Sequence, residues 1–153
     1  MIRTQNRMRL CTALLILNLA FIWGNSLLPG EVSGAFSDWV KGFLAKLFAS
    51  GDMSQSGGGL LRKLAHFSEF AALGILLSWL FGMLQKKPCF AAVCGFLAAC
   101  VDETIQRFVP DRGPSIVDVG IDTCGVLTGM LLLFAAYRLS RNKNKYPMEE
   151  RKK

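Results

Sequence analysis

The chain alternates between apolar runs and short polar breaks, and the pattern predicts four membrane-spanning helices. Leu10 to Gly30 contains no charged residue and is long enough to cross a bilayer. Three later runs, Phe70 to Leu84, Pro88 to Val101 and Thr123 to Tyr137, are each free of charge for only 14 or 15 residues. Runs of that length fit buried helices of a soluble bundle equally well. The first run, preceded by Arg3, Arg7 and Arg9, also has the layout of a signal peptide. It lacks a clear small-x-small cleavage site, and further apolar segments follow, so an uncleaved span is expected.

Charge placement decides between bundle and membrane. If all four runs span and the N-terminus lies in the cytoplasm, three pieces fall inside: the N-terminal tail, the Lys86-Lys87 turn and the tail after Tyr137. Those pieces hold 12 of the 18 basic residues and only two of the 11 acidic ones, Glu149 and Glu150. This is the inside bias of membrane proteins. It accounts for most of the net charge of +7 without a nucleic-acid partner. The expected architecture is all-α: a single domain over residues 1–153 with spans near 10–28, 64–84, 88–109 and 115–137. A basic cytoplasmic tail, 138–153, anchors the chain and is otherwise disordered. Between the first two spans, "AFSDWVKGFLAKLF" places Phe36, Trp39, Val40, Phe43, Leu44 and Leu47 at helical spacing. It predicts an amphipathic helix lying on the outer leaflet or over the bundle mouth. "SGDMSQSGGG" after it reads as a flexible linker. The five cysteines form no C-x-x-C and lie in apolar segments, so they are expected to be buried thiols.

The short spans bring chemistry into the membrane. A hydrocarbon core of about 30 Å needs about 20 helical residues. Counted from the cytoplasmic ends, the outer boundary falls near His66 on the second span, Phe108 on the third and Asp118 on the fourth. Each crossing is therefore completed by polar residues. Arg62, His66, Glu69 and Leu73 share one helix face, with Lys63 beside them. Asp102 and Gln106 share a face, with Glu103 close to it. Asp118 and Asp122 are one turn apart, and Gly125 and Gly129 continue their stripe, allowing close helix contact. Ser115, after Pro114, stands at the start of the last helix. The loop "VPDRGPS" adds Arg112. Lipid does not accept such groups, so they should face the bundle interior and mark a functional site.

Three stretches, "NSLLPGEVS", "RKLAHFSEFAALG" and "DETIQRFVPDRGPSIVDVGIDTCGVLTG", cover about a third of the chain. In order and spacing they resemble the VanZ-like family, small bacterial membrane proteins named after a teicoplanin-resistance protein. The family's motif residues fall on Lys63, His66, Glu69, Asp102, Glu103, Gln106, Arg112, Asp118 and Asp122. Phe70 fits the aromatic position that often follows the glutamate. Pro114 is a mild departure. The resemblance implies a four-helix membrane protein and, for the founding member, reduced susceptibility to a glycopeptide antibiotic.

Several functions compete on these residues. In the first, Arg62, Lys63, His66 and Arg112 hold the phosphate or carboxylate of a membrane lipid head group or lipid-linked cell-wall precursor. The carboxylates then orient these cations or accept bonds from sugar hydroxyls. In the second, a hydrolase or transferase uses His66 as general base, oriented by Glu69 or Asp118. No G-x-S-x-G or H-E-x-x-H accompanies it. In the third, the cluster only fixes helix register or serves a protein partner. Proton-coupled transport is disfavoured, because the inner half of every span is apolar. No cofactor or metal is expected. One histidine with several carboxylates suits Mg²⁺, Mn²⁺ or Ca²⁺ better than Zn²⁺, and the nearby arginines and lysine would repel a cation.

Overall fold

The computed structural model describes residues 2–29, 58–110, 112–113 and 115–145, and the side chains of 4–29, 62–110, 112–113 and 115–141. Among the described residues, four helices carry the fold: α1 (Ile2–Ser26), α2 (Gly58–Met83), α3 (Cys89–Gln106) and α4 (Ile116–Lys145). Among the described residues there is no strand. Each helix contains a stretch long and apolar enough to cross a membrane: Thr4–Ser26, Arg62–Met83, Cys89–Gln106 and Ile116–Arg141. The amphipathic helix expected over Phe36–Leu47 lies outside the described residues.

Helix boundaries depart from the sequence pattern at several ends. The glycines expected in a linker open α2 from Gly58. α4 runs on through 138–145, where the basic composition suggests a disordered tail. α3 stops at Gln106, short of Pro110, and residues 107–110 form turns through Phe108 N–H to the Ile105 carbonyl and Val109 N–H to the Gln106 carbonyl. The turn from α2 to α3 is tight. Gln85 takes a left-handed φ of 57°. Lys86 N–H donates to the Phe81 carbonyl at 2.9 Å and Gln85 N–H to the Gly82 carbonyl at 3.2 Å. This is a Schellman-type helix stop with glutamine where glycine is usual. Pro88 follows and starts the next helix in right-handed conformation.

The packing is that of a protein immersed in lipid. Large apolar side chains point outward: Leu17 is 65% exposed, Leu131 67% and Phe134 60%. In water such a surface would drive association; against acyl chains it carries no penalty. The interior combines a few large side chains, Ile22, Phe70, Leu73 and Leu77, with small ones such as Ala91, Ala98 and Ala99. α2 is central, packing on α1, α3 and most extensively on α4. The α2–α4 contact is close because two glycines of α4 present bare backbone to α2. A Cβ at Gly129 would collide with the Ala71 carbonyl, and one at Gly125 would lie 2.5 Å from the Phe67 carbonyl oxygen. The expectation of five buried thiols is corrected: Cys11 is buried, whereas Cys89, Cys94 and Cys124 are exposed and Cys100 is half-buried. Cys94 and Cys124 lie within apolar helices on outward surfaces, where a small polarizable side chain is tolerated without protein around it, and Cys89 stands at the helix start beside the Lys86-Lys87 turn.

Candidate functional site

The polar residues gather at one end of the bundle, where α1 and α3 end and α2 and α4 begin. Asp102 is the centre. It is fully buried near the end of α3, and Ser26 Oγ, from the last residue of α1, donates to its Oδ1 at 2.6 Å. Gln106, one turn along α3, donates through Nε2 to Oδ2 at 2.7 Å and to Ser26 Oγ at 3.3 Å. The carboxylate is thus held by two uncharged groups, as a buried charge requires partners.

His66 approaches from α2. Its Nδ1 lies 3.9 Å from Asp102 Oδ2 and 4.0 Å from Glu69 Oε2. Both separations exceed a hydrogen bond. The ring is oriented toward Asp102 and Glu69, while Asp118 is engaged elsewhere. Glu69 is fixed by Asn25 of α1, whose Nδ2 donates to Oε1 at 3.0 Å. Asp122 of α4, only 2% exposed, completes the group. One ligand atom from each of His66, Asp102 and Asp122 lies within 4.8 Å of the others.

The rim is built from the α3–α4 connection. Glu103, 6% exposed, accepts the Ser115 backbone N–H at Oε2, 2.8 Å away, which ties the start of α4 to the end of α3. The Ser115 carbonyl in turn accepts the N–H groups of Asp118 and Val119. Arg112 folds inward until it is 9% exposed, and its Nη1 reaches the Ser26 carbonyl at 3.5 Å. Burial and the charge of Arg62 lower its pKa, against the opposing pull of Asp102, Glu103 and Glu69. An arginine nevertheless keeps its proton. Lys63 Nζ pairs with Asp118 Oδ1 at 3.3 Å, at the more exposed edge.

Of the residues singled out from sequence, His66, Glu69, Asp102, Glu103, Gln106, Arg112 and Asp122 thus lie in or directly against one buried cluster. Lys63 and Asp118 form a pair at its edge, and Arg62 stands half-buried one turn before His66. Sequence reasoning missed Asn25 and Ser26 as site residues. They close a long uncharged run, where a polar pair passes for an interface residue, although "NSLLPG" was among the stretches that carried the family resemblance.

Among the described residues, several polar atoms in the cluster are buried without a hydrogen-bond partner: His66 Nδ1, Glu69 Oε2, Glu103 Oε1 and Arg112 Nε. Native interiors leave few such groups. Their concentration at one end of the bundle marks a place where a ligand, ion or water has bonds to make.

No curated protein and no solved structure matches the chain. A family model does, over residues 10–137, a range that takes in all four apolar segments and every residue of the cluster. With four helices able to cross a bilayer, the chain is a multi-pass membrane protein and belongs to the VanZ/LLP1 family.

Proposed function

We propose that the polar end of the bundle binds the anionic head group of a membrane lipid or lipid-linked cell-wall precursor at the outer face of the bacterial cell membrane. The observation that carries this reading is the adjacency of two unlike surfaces. Below the polar cluster, a groove of about 390 Å³ runs between α1, α2 and α3, lined by apolar side chains that include Trp23, Leu73, Leu77 and Val101. Trp23 precedes Asn25 by two residues, Leu73 lies one turn below Glu69, and Val101 adjoins Asp102. An amphiphile with a charged head and an apolar chain matches both surfaces at once. Arg112, with an unpartnered Nε, and the partly exposed Lys63 supply the cations for a phosphate or carboxylate. The inside bias of basic residues supports the orientation, with both termini cytoplasmic and the cluster outside.

Lipid retention tests the reading. Purified wild-type chain should carry an anionic lipid that survives detergent exchange, identified by mass spectrometry. The Lys63→Gln/Arg112→Gln variant should retain it about tenfold less or worse, since hydrogen bonds to charged groups contribute about 1.5–3 kcal/mol each. Equal retention by a folded double variant refutes the head-group site. The finer expectation, lowered susceptibility to teicoplanin-type antibiotics, rests on the family's founding member; expression in a susceptible host with the same variant pair checks it.

A further inference from the structure

We propose that His66, Asp102 and Asp122 form a binding site for one divalent cation of the Mn²⁺ or Zn²⁺ class. The three residues come from α2, α3 and α4, so the site exists only in the assembled bundle. Their ligand atoms lie within 4.8 Å of one another. A first-row cation holds nitrogen and oxygen donors at about 2.0–2.2 Å, so opposed donors sit about 4 Å apart. The 3.9 Å between His66 Nδ1 and Asp102 Oδ2 is too long for a direct hydrogen bond and matches two donors facing a shared ion.

Two further observations point to a ligand rather than to mutual pairing. His66 Nδ1 is buried and has no hydrogen-bond partner among the described residues. Asp122 is 2% exposed, and one of its ligand atoms lies within 4.8 Å of those of His66 and Asp102. Two buried carboxylates as close as Asp102 and Asp122 repel one another unless a cation or a proton neutralises them.

Charge balance runs the same way. The cluster and its rim hold five carboxylates, Glu69, Asp102, Glu103, Asp118 and Asp122, against three permanent cations, Arg62, Lys63 and Arg112. Lys63 is engaged with Asp118, and the Arg112 guanidinium turns to the Ser26 carbonyl. A divalent ion at the triad neutralises the excess. Ser26 and Gln106 would orient Asp102 as supporting groups do around bound metals. The expectation that Mg²⁺ or Ca²⁺ would suit these residues better than Zn²⁺ is revised here, because only two carboxylates join the imidazole, and such a mixed nitrogen and oxygen set favours Mn²⁺ or Zn²⁺ over cations that take oxygen alone. Three protein ligands leave coordination positions open for an oxygen of a bound anion.

The test uses the full chain in lipid-free detergent, stripped with chelator and then titrated with MnCl₂ alone or ZnCl₂ alone. Metal content after desalting and the Mn²⁺ electron-paramagnetic-resonance signal are read. Wild type should take up about one ion per chain, and Asp122→Asn and His66→Gln should lose it. Gln106→Ala, which leaves the three ligands intact, should bind about 10–100-fold more weakly. This variant decides the matter if the ligand substitutions fail to fold. Lys87→Ala, in the exposed turn at the opposite end of the bundle, should keep the ion. Wild-type uptake no greater than that of folded Asp122→Asn overturns the proposal and leaves protons as the neutralising species. Unchanged affinity in Gln106→Ala also overturns it. Because no lipid is present, failure here leaves the head-group reading standing, and loss of lipid retention leaves this one standing.

Discussion

Gly120 and Gly125 lie on the same helix, yet their alanine variants should behave differently. Both substitutions gain helix propensity, about 0.5–1 kcal/mol. Nothing lies within 4 Å of a Cβ built on Gly120, so that gain should appear undiminished. At Gly125 the new Cβ would sit 2.5 Å from the Phe67 carbonyl oxygen, 3.2 Å from Phe70 Cβ and 3.3 Å from Ala71 N. Ordinary contact begins at 3.4 Å, so α4 must withdraw from α2 by about 0.9 Å. The nearest atom is backbone and cannot rotate aside. Overpacking of this kind costs about 1–3 kcal/mol. Since the propensity gain cancels between the two variants, their difference isolates that penalty. Reversible unfolding in mixed micelles, followed by circular dichroism, measures it. A gap below about 0.5 kcal/mol would show that the helices are not held at backbone contact, and the close-packing argument would fail. The same withdrawal should loosen the site. Asp122 is three residues before Gly125, and His66 adjoins Phe67, so the two ligands would move apart together.

Removing the hydroxyl in Ser26→Ala deprives buried Asp102 of its 2.6 Å donor and should cost about 1.5–3 kcal/mol in the same unfolding assay. A change within about 0.5 kcal/mol would mean that Gln106 alone satisfies the carboxylate. Exposed Cys89, just past the Lys86-Lys87 turn, reports orientation. In a chain whose other cysteines are alanine, a membrane-impermeant maleimide should label it only after cells are permeabilised. Labelling of intact cells would invert the proposed topology.

Much of the site could be read from spacing. The second and fourth spans are too short to cross a bilayer without polar residues, so the count from their basic ends had to place His66, Glu69, Asp118 and Asp122 near one depth. Periodicity put Asp102 and Gln106 on one face. It could not show that Asp102 meets Ser26 rather than a lysine or arginine, or that Asp118 turns to Lys63 while Asp122 turns inward. Those choices depend on how far each helix is rotated about its axis. The exposed cysteines mark the same limit: an apolar segment in lipid can face outward as readily as inward, so hydropathy does not report burial.

The sequence by itself determined the four apolar segments and the grouping of charged residues at their ends, because length, hydropathy and charge are properties of the chain in one dimension. Only the tertiary structure decided which groups touch. The contact between the glycines of α4 and the backbone of α2 fixes the separation and rotation of the two helices. That rotation converts separately readable polar positions into one cluster holding His66, Asp102 and Asp122 within reach of a single ligand.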